Sequence, residues 1–70
     1  MQNFKSYLDC LSAFYNNLAN WAYCKNTGAE NIGEQVKKLQ SSARLLREEI
    51  KKLPPDMVRP QVVEHIEKAL

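Results

Sequence analysis

The sequence predicts an all-α protein, in which two long antiparallel helices form a hairpin and a short third helix follows. Apolar residues recur every three or four positions in two long segments, which is the period of a helix face. A turn-forming stretch separates these segments, and Pro54 and Pro55 end the second one. We therefore predict helices over residues 2–25, 31–53 and 57–69.

The first helix carries every aromatic residue of the chain and both cysteines. Neither proline nor glycine interrupts residues 2–25. The apolar face is broader than a coiled-coil seam, because aromatic side chains at heptad spacing lie beside the main apolar line. The opposite face is made mostly of Asn and Ser and has little charge, whereas exposed helix faces usually carry Glu, Lys and Arg. This composition suggests that both faces of the first helix contact other surfaces.

The second helix shows an unbroken heptad pattern, typical of a coiled-coil seam. Its apolar positions alternate in steps of four and three: Ile32, Val36, Leu39, Ala43, Leu46, Ile50 and Leu53. Two start signals compete for this helix, since Thr27 with Glu30 and Asn31 with Glu34 both have capping-box spacing. Ala43 leaves room for a bulky facing side chain from the first helix. Leu45 lies outside the seam, so we expect it to contact another element.

The third helix is short and depends on docking for stability. Asp56 is a candidate N-cap, with Pro60 in the first turn, and a start just before Pro60 is equally compatible with the sequence. Val62 and Ile66 belong to its apolar side. Either this helix covers the remaining apolar surface of the hairpin, or two hairpins pair into a helical-bundle dimer.

Length and composition argue against catalysis and cofactor binding. Seventy residues make one domain at most, with a core that contributes roughly 3–5 kcal/mol. Cys10 and Cys24 lie about 21 Å apart on one helix, so they cannot bridge within the chain, and reduced thiols in the cytoplasm are expected. His65 has no second ligand at metal-binding spacing. No catalytic motif, leader or membrane span occurs, and we predict no enzyme activity, no cofactor, no metal and no membrane partner.

Nucleic-acid binding is the alternative function. Lys37, Arg44 and Lys51 recur every seven residues on the second helix, and Arg47 lies near them. A stripe of this kind could follow phosphates, as in a small nucleic-acid-binding regulator. The formal net charge is only +2, however, and glutamates interleave with the stripe. A solvated helix face explains the same pattern.

Protein binding is the function that the sequence favours. Aromatic side chains on a helix face are typical anchors of protein interfaces. We predict a non-enzymatic interaction module, such as an adaptor, an inhibitor or an assembly subunit, that also self-associates as a dimer. The residues predicted for core and interface are Phe4, Tyr7, Phe14, Tyr15, Trp21 and Leu45.

Overall fold

The computed structural model describes residues 2–70, with side chains from Phe4 onward. Helix α1 spans Gln2–Thr27, α2 spans Ile32–Ile50, and α3 spans Pro60–Ala69, with a 3₁₀ turn at Pro55–Met57 before α3. No strand occurs in this described part of the chain. The two long helices pack against each other, so the predicted all-α hairpin with a shorter third helix is confirmed.

The turn of the hairpin is built on Gly28. This residue has φ +67°, a left-handed conformation that glycine adopts without steric cost. The Thr27 hydroxyl donates to the carbonyl oxygens of Tyr23 at 3.0 Å and Cys24 at 3.3 Å. Thr27 therefore ends α1, extending the helix beyond the predicted residue 25, and does not cap α2.

Helix α2 begins directly after Asn31, in agreement with one of the two predicted starts. The predicted side-chain cap is wrong, because the Asn31 side chain makes no capping hydrogen bond. Its carbonyl oxygen instead accepts hydrogen bonds from the backbone N–H groups of Glu34 at 3.1 Å and Gln35 at 3.2 Å. The first turn is thus closed by the backbone alone.

The end of α2 and the start of α3 differ from the prediction, and prolines explain both differences. Helix α2 ends at Ile50, and the Leu53 N–H donates to the Ile50 carbonyl at 3.1 Å in a tighter i→i+3 turn. Pro54 disfavours helical geometry at Leu53. Pro60 does the same to Arg59, whose ψ is 139°, so α3 begins at Pro60. Asp56 lies in the 3₁₀ turn and is not the N-cap of α3.

Side chains from all three helices form one buried cluster. Its apolar members are Tyr7, Phe14, Leu39, Ala43, Leu46, Val62 and Ile66. Phe14, Ala43 and Leu46 are 0% exposed. The heptad seam is therefore buried in its middle, while its end positions Ile32, Val36, Ile50 and Leu53 are half-buried.

Helix α3 covers only part of the hairpin. It has 10 residues against 19 in α2, which corresponds to about 15 Å against 28 Å of helix. It packs on α2 and reaches α1 through side chains, where Tyr15 and His65 form a hydrogen bond. The molecule measures 39 × 20 × 14 Å. None of the helices within residues 2–70 combines the length and apolar character needed to cross a bilayer.

Candidate functional site

The predicted aromatic residues of α1 divide into two groups. Tyr7 is 5% exposed and Phe14 is fully buried, so both are part of the core. Phe4, Tyr15 and Trp21 are half-buried against that core. Ring contacts join the two groups, with centroids 6.0 Å apart for Phe4–Tyr7 and 5.2 Å apart for Phe14–Tyr15. Among these five predicted residues, only the half-buried group therefore retains surface for other contacts.

Leu45 lies in a shallow groove between α1 and α2, and its side chain is 62% exposed. We call this surface the open groove, since no residue of α3 lines it; its lining residues are Ala13, Asn17, Lys37, Lys38, Ser41, Ser42 and Leu45. The Asn17 amide donates to the Lys38 carbonyl at 3.4 Å, and the Ser42 hydroxyl donates to the Leu39 carbonyl at 2.9 Å. Two polar side chains of the groove thus already have partners within the chain.

The exposed side of α1 next to the open groove lacks charge. Between Asp9 and Lys25 no charged residue occurs, and the exposed positions there are Ser12, Ala13, Asn16, Ala19, Asn20 and Tyr23. Tyr23 is 67% exposed, which makes it the most exposed of the large hydrophobic side chains. The sequence interpretation did not single it out, although its position off the apolar line of the helix is visible in the spacing.

A second concave surface lies at the other side of the hairpin, near the end of α3. All three helices contribute to this three-helix cleft, whose volume is about 330 Å³ and whose lining residues are Leu18, Trp21, Val36, Leu39, His65, Lys68 and Ala69. The Lys25 ammonium stands 5.0 Å from the centroid of the Trp21 ring, a cation–π distance. The cleft exists because α3 is too short to cover the hairpin up to its turn.

Tyr15 and His65 form the polar link between α1 and α3 beside this cleft. The Tyr15 hydroxyl oxygen lies 2.9 Å from His65 Nδ1, and the two rings meet edge-on, with centroids 5.6 Å apart. Burial, and to a lesser extent the nearby Tyr7, raises the pKa of Tyr15. The Tyr15 hydroxyl therefore stays protonated and can act as the hydrogen-bond donor to the imidazole.

The basic residues of the nucleic-acid alternative are all exposed on α2 or in the turn after it. Lys51 pairs with Glu48 at 3.0 Å, and the hydrogen bond from Lys51, followed by its charge, lowers the pKa of the Glu48 carboxyl. Lys37 also lies at the rim of the open groove. Arg44 and Arg47 point into solvent. This arrangement agrees with a solvated helix face, and the phosphate-binding role stays a prediction.

Both cysteines are free and half-buried on α1. Burial raises the pKa of the Cys10 thiol, and the charges of Glu49 and Asp9 add to this effect. A raised pKa keeps the thiol protonated and lowers its nucleophilicity near neutral pH. Cys10 is therefore a packing residue.

Comparison of the chain with protein families, with curated proteins and with solved structures finds no match. What this chain does must therefore be inferred from its fold and from surfaces such as the open groove and the three-helix cleft.

Proposed function

We propose that this protein is a non-enzymatic protein-interaction module that acts through the open groove and the uncharged side of α1. In this proposal it serves as an adaptor, an inhibitor or an assembly subunit. When no other partner is bound, two copies pair through their open grooves into a helical-bundle dimer. The observation that carries the proposal is the exposure of Leu45, at 62%, in a groove that is otherwise lined by three small side chains, two lysines and Asn17.

The groove has the shape that helix packing requires. Ala13, Ser41 and Ser42 are short side chains, so the backbone of another helix can approach closely. Leu45 then supplies the apolar side chain that inserts into the partner, as in the ridges-into-grooves packing of helices. In a two-fold dimer each Leu45 would meet the groove of the other copy, which is the self-complementary arrangement that such symmetry demands.

The dimensions of the molecule also favour a partner. The molecule is flat, because it is only 14 Å deep along its shortest axis. Its broad side measures 39 × 20 Å. A standard protein interface buries about 800 Å² on each partner, which is about the whole projected area of this side.

Sedimentation equilibrium over a series of protein concentrations tests the dimer. We expect the wild-type protein to dimerise and Leu45→Glu to remain monomeric, because the carboxylate would have to leave water at the place where an apolar side chain inserts between helices. Met57→Glu is the matched control, since Met57 is also an exposed apolar residue, at 46%, but lies outside the groove. A wild-type protein that stays monomeric at every concentration would contradict self-association.

Binding of a protein other than a second copy is tested by affinity capture with the wild type, Leu45→Glu and Met57→Glu. We expect a specific protein to be retained by the wild type and by Met57→Glu and to be lost with Leu45→Glu. The captured protein is then purified, and its binding is measured by calorimetry. If the purified protein binds Leu45→Glu as tightly as the wild type, the open groove is not the docking surface.

The proposal includes a cytoplasmic setting, for which the state of the cysteines is the support. Cys10 and Cys24 are both free, and each is half-buried on the same helix. Reduced thiols are the normal state in that compartment. Mass measurement of the protein from cells after rapid alkylation checks this. We expect both thiols to be alkylated, which marks them as reduced, and no intermolecular disulfide.

A further inference from the structure

We propose that the three-helix cleft binds a small amphipathic carboxylate, with the apolar body of the ligand between the helices and its carboxylate at Lys68 and His65. This site lies on the other side of the hairpin from the open groove and is independent of the proposed function. The juxtaposition behind the proposal is an apolar cavity that has basic side chains, and no acidic ones, in its lining.

The inner part of the cleft suits an apolar body. Leu18, Trp21, Val36 and Ala69 supply apolar walls from three helices. Leu39, which is only 4% exposed, lies at its base. Sites for small molecules have volumes of about 300–1,000 Å³, are mostly apolar and often lie between the helices of a bundle. At about 330 Å³ this cleft fits a ligand at the small end of that range.

The rim of the cleft selects the charge of the ligand. Lys68 pairs with Glu64 at 3.2 Å, but the two side chains are 72% and 62% exposed. An ion pair this exposed is weak, so the ammonium is free to turn to a ligand carboxylate. Lys25, over the Trp21 ring, adds a second positive charge next to the cleft. A cationic ligand would meet repulsion at the same place.

His65 adds a directed hydrogen-bond donor to the rim. When the Tyr15 hydroxyl is the donor to Nδ1, at 2.9 Å, a neutral imidazole carries its proton on Nε2. Nε2–H is then the group that can meet a ligand, and a carboxylate oxygen is a fitting acceptor. Because the Tyr15 bond also fixes the ring, the donor is held in place before the ligand arrives.

Trp21 makes the site directly observable, because it is the only tryptophan of the chain and it lines the cleft. The test titrates the protein with octanoate, octanol and octylamine below their micelle-forming concentrations and follows tryptophan fluorescence. We expect a saturable change with octanoate and an affinity at least tenfold weaker for octanol and octylamine. Equal affinities for the three probes, or no saturable change with octanoate, would overturn the proposal.

Substitutions at the rim separate charge recognition from apolar binding. Lys68→Ala and His65→Ala should each weaken octanoate binding several-fold and leave octanol binding unchanged. Lys51→Ala is the matched control, since Lys51 is an exposed lysine with a similar surface ion pair outside the cleft. If Lys68→Ala and Lys51→Ala bind octanoate equally well, the rim does not recognise the carboxylate.

A last variant tests whether the three-helix cleft is independent of the open groove. Leu45→Glu disables the groove in the proposed function but lies outside the cleft. Octanoate should therefore bind Leu45→Glu and the wild type with the same affinity. Loss of octanoate binding in Leu45→Glu would show that the cleft forms only in the dimer, and the proposal of an independent site would then be wrong.

Discussion

The two sides of the hairpin are built from the same two helices and yet differ in what covers them. On one side, Val62 and Ile66 of α3 complete the core and are 6% and 2% exposed. On the other side, the open groove has no third element and Leu45 remains exposed. The difference shows that the heptad seam places Leu46 in the core and leaves Leu45 outside it, and that the third helix extends this core on one side of the hairpin only.

Two neighbouring leucines give the sharpest test of this comparison. Leu46 is fully buried and Leu45 is 62% exposed. Leu46→Ala should cost about 2–5 kcal/mol of the free energy of unfolding. That loss matches the roughly 3–5 kcal/mol that a core of this size contributes, so we expect an unfolded protein. Leu45→Ala should change the stability of the monomer by less than about 0.5 kcal/mol.

Circular dichroism compares both leucine variants with the wild type, at a concentration where the wild type is monomeric. Leu46→Ala should have lost most of its helical signal before urea is added, whereas Leu45→Ala should unfold at nearly the same urea concentration as the wild type. The proposed difference between the two sides of the hairpin is contradicted if Leu46→Ala and Leu45→Ala reduce the free energy of unfolding equally. It also fails if Leu45→Ala is the more damaging one, because Leu45 would then be a core residue of the monomer.

Alanine substitutions at the two glycines near the turn of the hairpin should change the stability of the protein in opposite directions. Neither would bring a new Cβ atom within 4 Å of another group, so backbone geometry alone decides the outcome. Gly28→Ala should destabilise the protein by about 1 kcal/mol, because φ +67° is unfavourable for alanine. Gly33→Ala should stabilise it by up to about 0.5 kcal/mol, since Gly33 lies in the first turn of α2. Thermal unfolding of the two variants should show melting temperatures on either side of that of the wild type.

The link between α3 and α1 has a smaller expected effect. Tyr15→Phe removes the hydroxyl that lies 2.9 Å from His65 Nδ1. A partly exposed hydrogen bond contributes about 0.5 kcal/mol, so the loss of stability should be of that size. Tyr23→Phe is the control and should have no effect, since the Tyr23 side chain is 67% exposed. The NMR signals of His65 should shift in Tyr15→Phe and not in Tyr23→Phe. Identical histidine spectra for the two variants would show that Tyr15 and His65 do not form this hydrogen bond.

The smallest effect is expected from the basic stripe. Titration with duplex and single-stranded DNA over a series of salt concentrations should show weak binding at low salt that disappears as salt rises. Changing Arg44 and Arg47 to Ala should alter it little, because the stripe is a solvated face with its own glutamates. Specific binding that survives physiological salt and is lost in this double variant would instead establish the nucleic-acid role.

The sequence predicted the helices well and their ends less well. The 3.6-residue period is a local property, so the hairpin and the short third helix follow from it. The Pro-Pro pair located the break, but whether α3 began at Asp56 or Pro60 depended on the backbone at Arg59, which only the folded turn reveals. The capping-box spacing at Asn31 was equally ambiguous, since the backbone closed that turn without the side chain.

Which apolar residues would remain exposed was beyond the sequence for a different reason. Phe14 and Trp21 lie one heptad apart on the same helix, but the first is fully buried and the second lines the three-helix cleft. Periodicity gives the angle of a residue around its helix and not the point at which a neighbouring helix ends. The cleft therefore depends on the length and docking of α3, and no local pattern encodes both.

The turn at Gly28 has a consequence for how quickly the chain reaches this structure. Only residues 28–31 separate α1 from α2. Chains whose contacts are close in sequence, such as small helical proteins, fold within microseconds to milliseconds. The hairpin can form from its turn outward once α2 is helical, before Val62 and Ile66 have packed on it. We therefore expect docking of α3 to follow formation of the hairpin, so that the apolar side of α3 stays exposed until then.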